Sequence, residues 1–278
     1  MRRLFLALAA LCTLAPAALQ AQQAATLPRP SRLTALETGD QSRGWDAVGR
    51  INIGKRSFCT GALISPTLVL TAGHCLFDKA TGQRVAPAQM EFLAGWRNGR
   101  AAAYRAVKRA VLHPDYVYTA REDIAEVNYD LALLELARPI RLPSITPFAT
   151  GASPRRGDSV GVVSYAEHRA EVPSLQKSCQ VVGRKASVAV MTCNVDFGSS
   201  GAPVFSLRDG IARVVAVISA KAKMKDTPVA LGIALDGPLQ ILRAALARAD
   251  GSRFEKAPSP GLAMHDTLRA GGAKFVRP

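Results

Sequence analysis

Residues 196–205, DFGSSGAPVF, place a Gly-Ser-Ser-Gly turn directly before a short apolar strand. A cluster of glycine and serine is usually only a loop, so the adjacent Ser199 and Ser200 do not by themselves indicate chemistry. Short apolar runs and turn residues keep alternating in both directions from this segment. Both the fold and the role of either serine therefore have to be inferred from the wider pattern.

Twelve short apolar runs lie along the chain, separated by Gly, Pro, Asn and Asp, and six of them precede Pro143. In order they are AVGRINIG, FCTGALIS, TLVLTAG, EFLAGW, YRAVKRAVLH and LALLELAR, then DSVGVVSYA, QKSCQVVGR, VAVMTCNV, APVFSLRDG, ARVVAVISA and VALGIAL. Regularly spaced strands with turns between them predict an all-β sandwich or barrel architecture. Two sets of six predict two six-stranded antiparallel β-barrels, over 45–142 and 143–236.

One helix is predicted after these strands. The segment PLQILRAALARA has apolar residues at helical spacing and a proline near its start, which predicts a C-terminal helix over 237–250. The remaining tail, 251–278, contains Pro and Gly and is expected to be weakly ordered. No internal repeat or heptad is visible, so neither a solenoid nor a coiled coil is predicted.

The N-terminus has the pattern of an export signal. MRR followed by the apolar run LFLALAALCTLAPAAL predicts a signal peptide over 1–21, with cleavage after Ala21. The run is shorter than a bilayer span requires and contains Pro16, so no membrane span is expected. Residues 22–44 then form an N-terminal segment that trimming could remove as a propeptide. The sequence therefore predicts a secreted or periplasmic protein.

The chain is strongly basic, with a formal net charge of +15, and removing Arg2 and Arg3 with the signal peptide takes two charges away and leaves +13. Such a balance fits nucleic acid, anionic lipopolysaccharide, a membrane surface or plain solubility. The charges are scattered and aromatic residues make up only 6% of the chain, so no stacking platform for single strands is visible. No nucleic-acid partner is expected, while contact with an anionic surface or glycan stays open.

The four histidines limit the search for catalytic groups. His113 precedes a proline in a turn, His168 lies in a polar loop and His265 falls in the tail. No two histidines have the spacing of metal ligands and no CxxC exists, so neither a metal nor another cofactor is expected. His74 stands out because its segment, LTAGHCL, follows an apolar strand and places it beside Cys75.

Three segments taken together resemble the trypsin-like serine peptidases of the chymotrypsin fold. LTAGHC contains His74, NYDLALLEL contains Asp130, and NVDFGSSGAPVF contains Ser200 within the family's Gly-x-Ser-Gly-x-Pro pattern. Their order along the chain is that of the chymotrypsin-type triad. The resemblance covers roughly 45–236 and is nearest to bacterial secreted members close to the glutamyl-endopeptidase branch.

The resemblance implies a monomeric, secreted serine endopeptidase that hydrolyses peptide bonds in protein or peptide substrates through an acyl-enzyme. Ser200 would be the nucleophile, His74 the general base and then general acid, and Asp130 the buried carboxylate that fixes the imidazole tautomer. The backbone N–H groups of Gly198 and Ser200 would form the oxyanion hole. Ser199 would then belong to the scaffold.

The cysteines fit an exported chain. After removal of the signal peptide four remain, an even number that suits an oxidising compartment, and four cysteines allow three pairings. The pairs Cys59 with Cys75 and Cys179 with Cys193 are favoured because each would close a local hairpin. The first of these bridges is common in the family that the chain resembles.

The resemblance also implies a specificity pocket lined by Asn194, Ser219, Lys221 and Gly232. Asn194 stands where an aspartate would favour Arg or Lys, and Ile218 stands where the glutamate-selective branch carries a histidine. Lys221 and Lys223 would favour acidic groups near the pocket mouth, although a pair of exposed lysines is more often only surface. A neutral or acidic residue is therefore expected at the cleavage position rather than a basic one.

A second interpretation keeps the fold without the catalysis. It is a binding protein whose basic surface captures anionic glycans, lipids or partners. Lost catalysis usually shows as a substituted triad residue, and here all three residue types are present. The peptidase interpretation is therefore favoured.

The residue before the nucleophile bears on activation. Digestive-type peptidases carry an aspartate there, which pairs with a newly liberated N-terminal ammonium, whereas this chain has Ser199. A hydroxyl cannot neutralise a buried ammonium, and an unpaired buried charge costs several kcal/mol. An activation switch based on a free N-terminus is therefore not expected.

Overall fold

The structure, a computed structural model, describes residues 29–54, 57–119, 127–224, 226–248 and 275–276. The predicted signal peptide, the first seven residues of the 22–44 segment and most of the predicted tail lie outside these residues. Within the described part of the chain, no helix combines the length and apolarity needed to cross a bilayer.

Strands dominate the structure. In chain order they are β1 (Leu33–Ala35), β2 (Val48–Ile53), β3 (Ser57–Ser65), β4 (Leu68–Thr71), β5 (Met90–Ala94), β6 (Ala103–Leu112), β7 (Ala132–Leu136), β8 (Ala149–Thr150), β9 (Ser159–Ala166), β10 (Arg169–Lys185), β11 (Val188–Met191), β12 (Pro203–Ser206), β13 (Arg213–Met224), β14 (Thr227–Ala234) and β15 (Phe275–Val276). Two α-helices are described, α1 (Gly39–Ser42) and α2 (Pro238–Arg248).

The first barrel is closed by β2, β3, β4, β7, β6 and β5, in that order around the ring. Its core is filled by large apolar side chains from facing strands, because alternate residues of a strand point to opposite sides of the sheet. These core side chains include Ile51, Leu63, Leu70, Phe92 and Leu134.

The second barrel is closed by β9, β10, β11, β14, β13 and β12. The ring closes because β10 pairs with β11 along one part of its length and with β9 along another, while β12 pairs with β9 and β13. The predicted pair of six-stranded antiparallel barrels with a C-terminal helix is confirmed. Each of the twelve predicted runs overlaps one barrel strand.

The N-terminal segment is part of the second barrel's sheet. β1 pairs antiparallel with β10, the N–H of Ser31 donates to the carbonyl oxygen of Ser178 at 2.7 Å, and the N–H of Leu36 donates to that of Pro173 at 2.9 Å. The side-chain amide of Gln176 donates to the Ser31 carbonyl oxygen at 2.7 Å. Trimming that leaves this sheet intact therefore has to end upstream of Ser31, so the segment cannot leave as a whole without loss of a strand.

The helix α2 connects the two halves. It follows the last strand of the second barrel, buries Leu239 and Leu242, and packs against β6 and β7 of the first barrel. The barrels also touch directly, where β3 contacts β9 and β12. The residues at the ends of these strands are therefore brought to a shared cleft.

Candidate active site

His74 and Asp130 form a buried pair at one end of the first barrel. His74 lies in a short 3-10 turn directly after β4, and Asp130 directly precedes β7, which is paired with β4. The Nδ1 atom of His74 lies 2.7 Å from Oδ2 of Asp130, and the backbone N–H of His74 donates to Oδ1 at 2.7 Å. Asp130 is fully buried and His74 is 6% exposed. One carboxylate thus holds the imidazole ring and the backbone of the same histidine.

Ser219 from the second barrel completes the surroundings of this carboxylate. Its hydroxyl donates to Oδ2 of Asp130, across 89 residues of sequence. The sequence predicted Ser219 in the specificity pocket, and the structure places its hydroxyl against the Asp130 carboxylate. The second barrel therefore helps to fix a residue of the first.

A disulfide braces the turn that carries His74. Cys75 is bonded to Cys59 of β3. Among the described residues these two cysteines and His74 make the one cluster of metal-ligand side chains, and the bonded sulfurs offer no thiolate to a metal ion. The other disulfide joins Cys179 on β10 to Cys193, just after β11, beside the segment that leads to Ser200.

Ser200 lies in the turn before β12, and this turn packs against β3 and against β4, the strand that precedes His74. The N–H of Thr60 donates to the Ser200 carbonyl oxygen at 2.8 Å. The next residue, Gly201, has φ of +79°, and a Cβ atom there would lie 2.1 Å from Oγ1 of Thr71, three residues before His74. Only glycine fits this close approach. These contacts hold the turn that carries Ser200 against Thr60 and Thr71, on the strands that precede His74.

The outer nitrogen of His74 is left without a partner. Among the described residues none forms a hydrogen bond with Nε2 of His74, although the atom is buried. The Ser200 hydroxyl therefore forms no hydrogen bond with it. Hydrogen bonds of this kind are commonly long before substrate binds and tighten in the complex.

Two backbone N–H groups of this turn, one of them that of Ser200 itself, have no partner in the part of the chain that the structure describes. Within the described residues, neither the N–H of Gly198 nor that of Ser200 forms a hydrogen bond. The Phe197 carbonyl oxygen accepts from the N–H of Glu167 at 2.8 Å, and the N–H across a trans peptide points the opposite way. Gly198 has φ of +88°, and a Cβ atom there would lie 2.4 Å from the ring of Phe58. Glycine is therefore required where the two donors are presented.

A cavity of about 350 Å³ opens next to the residues that precede this turn. Asn194 and Lys221, both predicted pocket residues, line it, together with Arg29 from the N-terminal segment. Gly232, also predicted in the specificity pocket, does not line this cavity, and a Cβ atom on it would lie 2.7 Å from Cε of the buried Met191. No local pattern in the sequence marked Arg29, since its position depends on the pairing of β1 with β10.

The cavity carries partly neutralised positive charge. Nζ of Lys221 lies 3.2 Å from Oδ1 of Asp196, while the guanidinium of Arg29 adds a second cation to the lining. An anionic side chain would meet favourable charge there, a cationic one would meet repulsion, and a neutral one would meet neither.

His113 is a second buried histidine with a structural role. Its ring stacks on Tyr129 and its Nδ1 atom accepts from the N–H of Asp115 at 3.3 Å, while among the described residues Nε2 has no partner. Burial lowers the pKa of His113, and the nearby Asp115 carboxylate opposes this only in part.

His113 should therefore make folding weaker in acid. As the pH falls below about 6.5, the unfolded chain takes up a proton on this histidine before the folded protein does, so stability is lost between that value and the lowered folded pKa. In a Ser200→Ala background, which prevents self-digestion, His113→Gln should flatten the fall in urea midpoint between pH 7 and pH 5. The exposed His168, changed to Gln, is the control. Equal slopes for the two variants would contradict this account.

The sequence of the chain is similar to those of known serine peptidases. A family model described as Trypsin matches residues 37–234. Glutamyl endopeptidase of Bacillus licheniformis is 27% identical over 148 residues, which cover 53% of this chain and 45% of that protein. Trypsin of Simulium vittatum is 38% identical over 82 residues, which cover 30% of this chain and 28% of that protein. The chain thus spans less than half the length of these curated relatives.

Solved structures agree on the fold. A Glu endopeptidase in complex with MPD superposes with a TM-score of 0.65 at 18% identity, covering 80% of this chain and 99% of that one. A thermostable serine protease from an extremophilic microorganism superposes with a TM-score of 0.56 at 19% identity, covering 73% and 98%. At such identities the superpositions bear on the fold alone.

Proposed function

The chain belongs to the trypsin family, and from this premise we propose that it is a serine endopeptidase in which Ser200, His74 and Asp130 form the catalytic triad. The observation that carries the proposal is the buried His74–Asp130 pair, because within the described part of the chain it leaves Nε2 of His74 without a hydrogen-bond partner. The sequence favours a peptidase over a binding protein, and experiment distinguishes the two.

The tautomer of His74 follows from its partner. A carboxylate oxygen can only accept, so Nδ1 of His74 carries the proton that it donates to Asp130, and Nε2 is left with a lone pair. That lone pair takes the proton of the Ser200 hydroxyl as Oγ bonds to the scissile carbonyl carbon. The imidazolium then gives the proton to the leaving amine when the C–N bond breaks, which leaves an acyl-enzyme. Water, activated by the same nitrogen, releases the acid.

The negative charge that develops on the carbonyl oxygen in the transition state is stabilised by hydrogen-bond donors. The free N–H groups of Gly198 and Ser200 are suited to this task, because they are fixed by the turn before the reaction begins. A donor of this kind commonly contributes about 3 kcal/mol to stabilisation of the transition state.

Active-site titration tests the proposal. A peptidyl organophosphonate should label the folded, processed protein with one equivalent, and Ser200→Ala should abolish the label. An unlabelled wild-type protein with a native circular dichroism spectrum would instead favour the binding protein.

We further propose secretion or export to the periplasm, supported by two disulfides, which persist in oxidising compartments.

The cavity lined by Asn194 and Lys221 is proposed as the specificity pocket. A peptide library should show neutral or acidic residues at the cleavage position, and Lys221→Met should lower kcat/KM for a glutamyl substrate about tenfold relative to a leucyl one, a difference of about 1.4 kcal/mol. Lys223 is exposed and does not line the cavity, unlike Lys221, so Lys223→Met is the matched control and should leave this ratio unchanged. A library profile dominated by Arg or Lys would overturn the assignment.

A further inference from the structure

The turn formed by Asp196–Ser200 has to be held rigidly if its donors are to face a substrate. Two backbone bonds fold it: the N–H of Ser199 donates to the Asp196 carbonyl oxygen at 2.9 Å, and the N–H of Ala202 donates to that of Ser199 at 2.9 Å. These bonds lie within the turn and its own strand. Backbone carbonyl oxygens of the turn accept from Glu167 and Thr60, and the Thr60 hydroxyl donates to the Gly198 carbonyl oxygen at 2.8 Å. The side chain of Ser199, which is fully buried, is a further anchor of the turn to the rest of the barrel.

The hydroxyl of Ser199 uses its whole hydrogen-bonding capacity. A hydroxyl donates once and accepts twice. Oγ lies 3.1 Å from the Tyr165 carbonyl oxygen, to which it donates, and it accepts from the N–H of Asp196 at 3.3 Å and from Nη2 of Arg169 at 3.2 Å. The Ser199 hydroxyl is therefore fully hydrogen-bonded, and one of its partners is the Arg169 guanidinium group. The Ser164 hydroxyl also lies 3.4 Å from it.

Arg169 is itself fixed on its other side. Its Nη1 donates to the Ser164 carbonyl oxygen, and its Nη2 also donates to the Ser164 hydroxyl at 2.9 Å. Burial, opposed in part by the Asp196 carboxylate, lowers the pKa of Arg169 to about 10, so the group remains charged at neutral pH. A cation that is partly removed from water thus lies against the turn, as part of the barrel.

The hairpin between β9 and β10 holds the turn at two points. Arg169 reaches the Ser199 side chain, and two residues earlier the N–H of Glu167 donates to the Phe197 carbonyl oxygen at 2.8 Å. The second bond orients the peptide whose N–H belongs to Gly198. Both attachments come from residues already in the sheet, and neither involves a chain terminus.

We propose that Arg169 is a positioning residue for catalysis, which holds the Asp196–Ser200 turn so that the oxyanion hole exists without a liberated N-terminal ammonium. It fills the role of the buried cation in the digestive-type enzymes, and Ser199 receives it through a hydroxyl instead of a carboxylate. The inference rests on the proposed peptidase function. It adds that no proteolytic event is needed to build the hole.

Kinetics of Arg169→Met test this role. The loss of one oxyanion donor commonly costs about 10²-fold in kcat, so we expect kcat to fall about 100-fold with KM changed less than about twofold. A peptide aldehyde, whose adduct places an oxygen in the hole, should bind about 100-fold more weakly, whereas the cleaved product peptide should bind as before. Arg208→Met is the matched control, because this exposed arginine of the same barrel pairs with Asp158 and should leave kcat unchanged.

Ser199→Ala keeps the test valid if Arg169→Met does not fold. It removes one hydroxyl and should lower kcat about tenfold with KM unchanged. Because both side chains act through one contact, the double variant should lose no more than Arg169→Met alone, whereas independent effects would multiply. A merely structural arginine would lower the melting temperature and leave the aldehyde-to-product binding ratio unchanged.

The outcomes separate the two proposals. If wild-type protein is not labelled by the phosphonate, the peptidase function fails and this inference fails with it. If wild-type protein is labelled and Arg169→Met keeps its kcat and its aldehyde affinity, the triad stands and the role of Arg169 is refuted. A kcat loss with unchanged KM, a weakened aldehyde and a non-additive double variant supports it.

Discussion

Ser200→Ala is expected to lower kcat about 10⁶-fold, because removal of the nucleophile of a serine triad leaves only binding and the oxyanion donors. The substitution removes a hydroxyl for which no hydrogen bond is described, so neither the turn nor the pairing of β12 should change. The melting temperature should stay within a few degrees of wild type. The measurement is kcat on a peptide ester together with phosphonate labelling.

The neighbouring serine supplies the control for this experiment. Ser199→Ala deletes the same atom one residue earlier, yet its hydroxyl is buried against Tyr165 and Arg169 and does not face the cleft. We expect roughly a tenfold loss of kcat and full labelling, since the effect is only through the position of the turn. If Ser199→Ala abolished labelling and Ser200→Ala did not, the assignment of the two serines would be reversed.

The two barrels were predictable because each barrel strand is an apolar run bounded by turn residues. What the sequence did not show is β1 (Leu33–Ala35), three residues that have no strand pattern of their own. A strand of this length is stable only because the edge of β10 supplies its hydrogen bonds. The sequence around β1 therefore does not indicate that the N-terminal segment is held in the sheet of the second barrel.

The candidate site likewise contains some residues that the sequence indicates and others that only the structure reveals. The segments around His74, Asp130 and Ser200 carry motifs, and motifs are local in sequence. By contrast, Ser219 reaches Asp130 across 89 residues, and Arg169 reaches Ser199 across 30. An arginine after a hairpin and a serine in a strand are common residues, so only the packing of the barrels reveals what they contact.

The second large effect on kcat is expected at Asp130, because its two carboxylate oxygens accept different hydrogen bonds. Oδ1 accepts from the backbone N–H of His74, and Oδ2 faces both the Nδ1 atom of His74 and the hydroxyl of Ser219. An asparagine side chain has one accepting oxygen and one donating NH₂ group. The backbone N–H of His74 cannot become an acceptor, so after Asp130→Asn the amide oxygen has to take the Oδ1 position. The reverse orientation would leave a buried donor unpaired, at about 1–3 kcal/mol.

Asp130→Asn should therefore lower kcat about 10⁴-fold without unfolding the protein. With NH₂ at the Oδ2 position, Nδ1 of His74 must accept, the ring proton moves to Nε2, and this nitrogen can no longer take the proton of Ser200. Ser219 tolerates the change, because its hydroxyl can rotate to accept from the new amide.

The nitrogen NMR shifts of the imidazole should report the exchanged tautomer, and KM should be unchanged because the pocket at Asn194 is not touched. Ser219→Ala, which leaves the carboxylate in place, should cost far less. A loss below tenfold for Asp130→Asn, with the wild-type tautomer, would mean that another group orients His74.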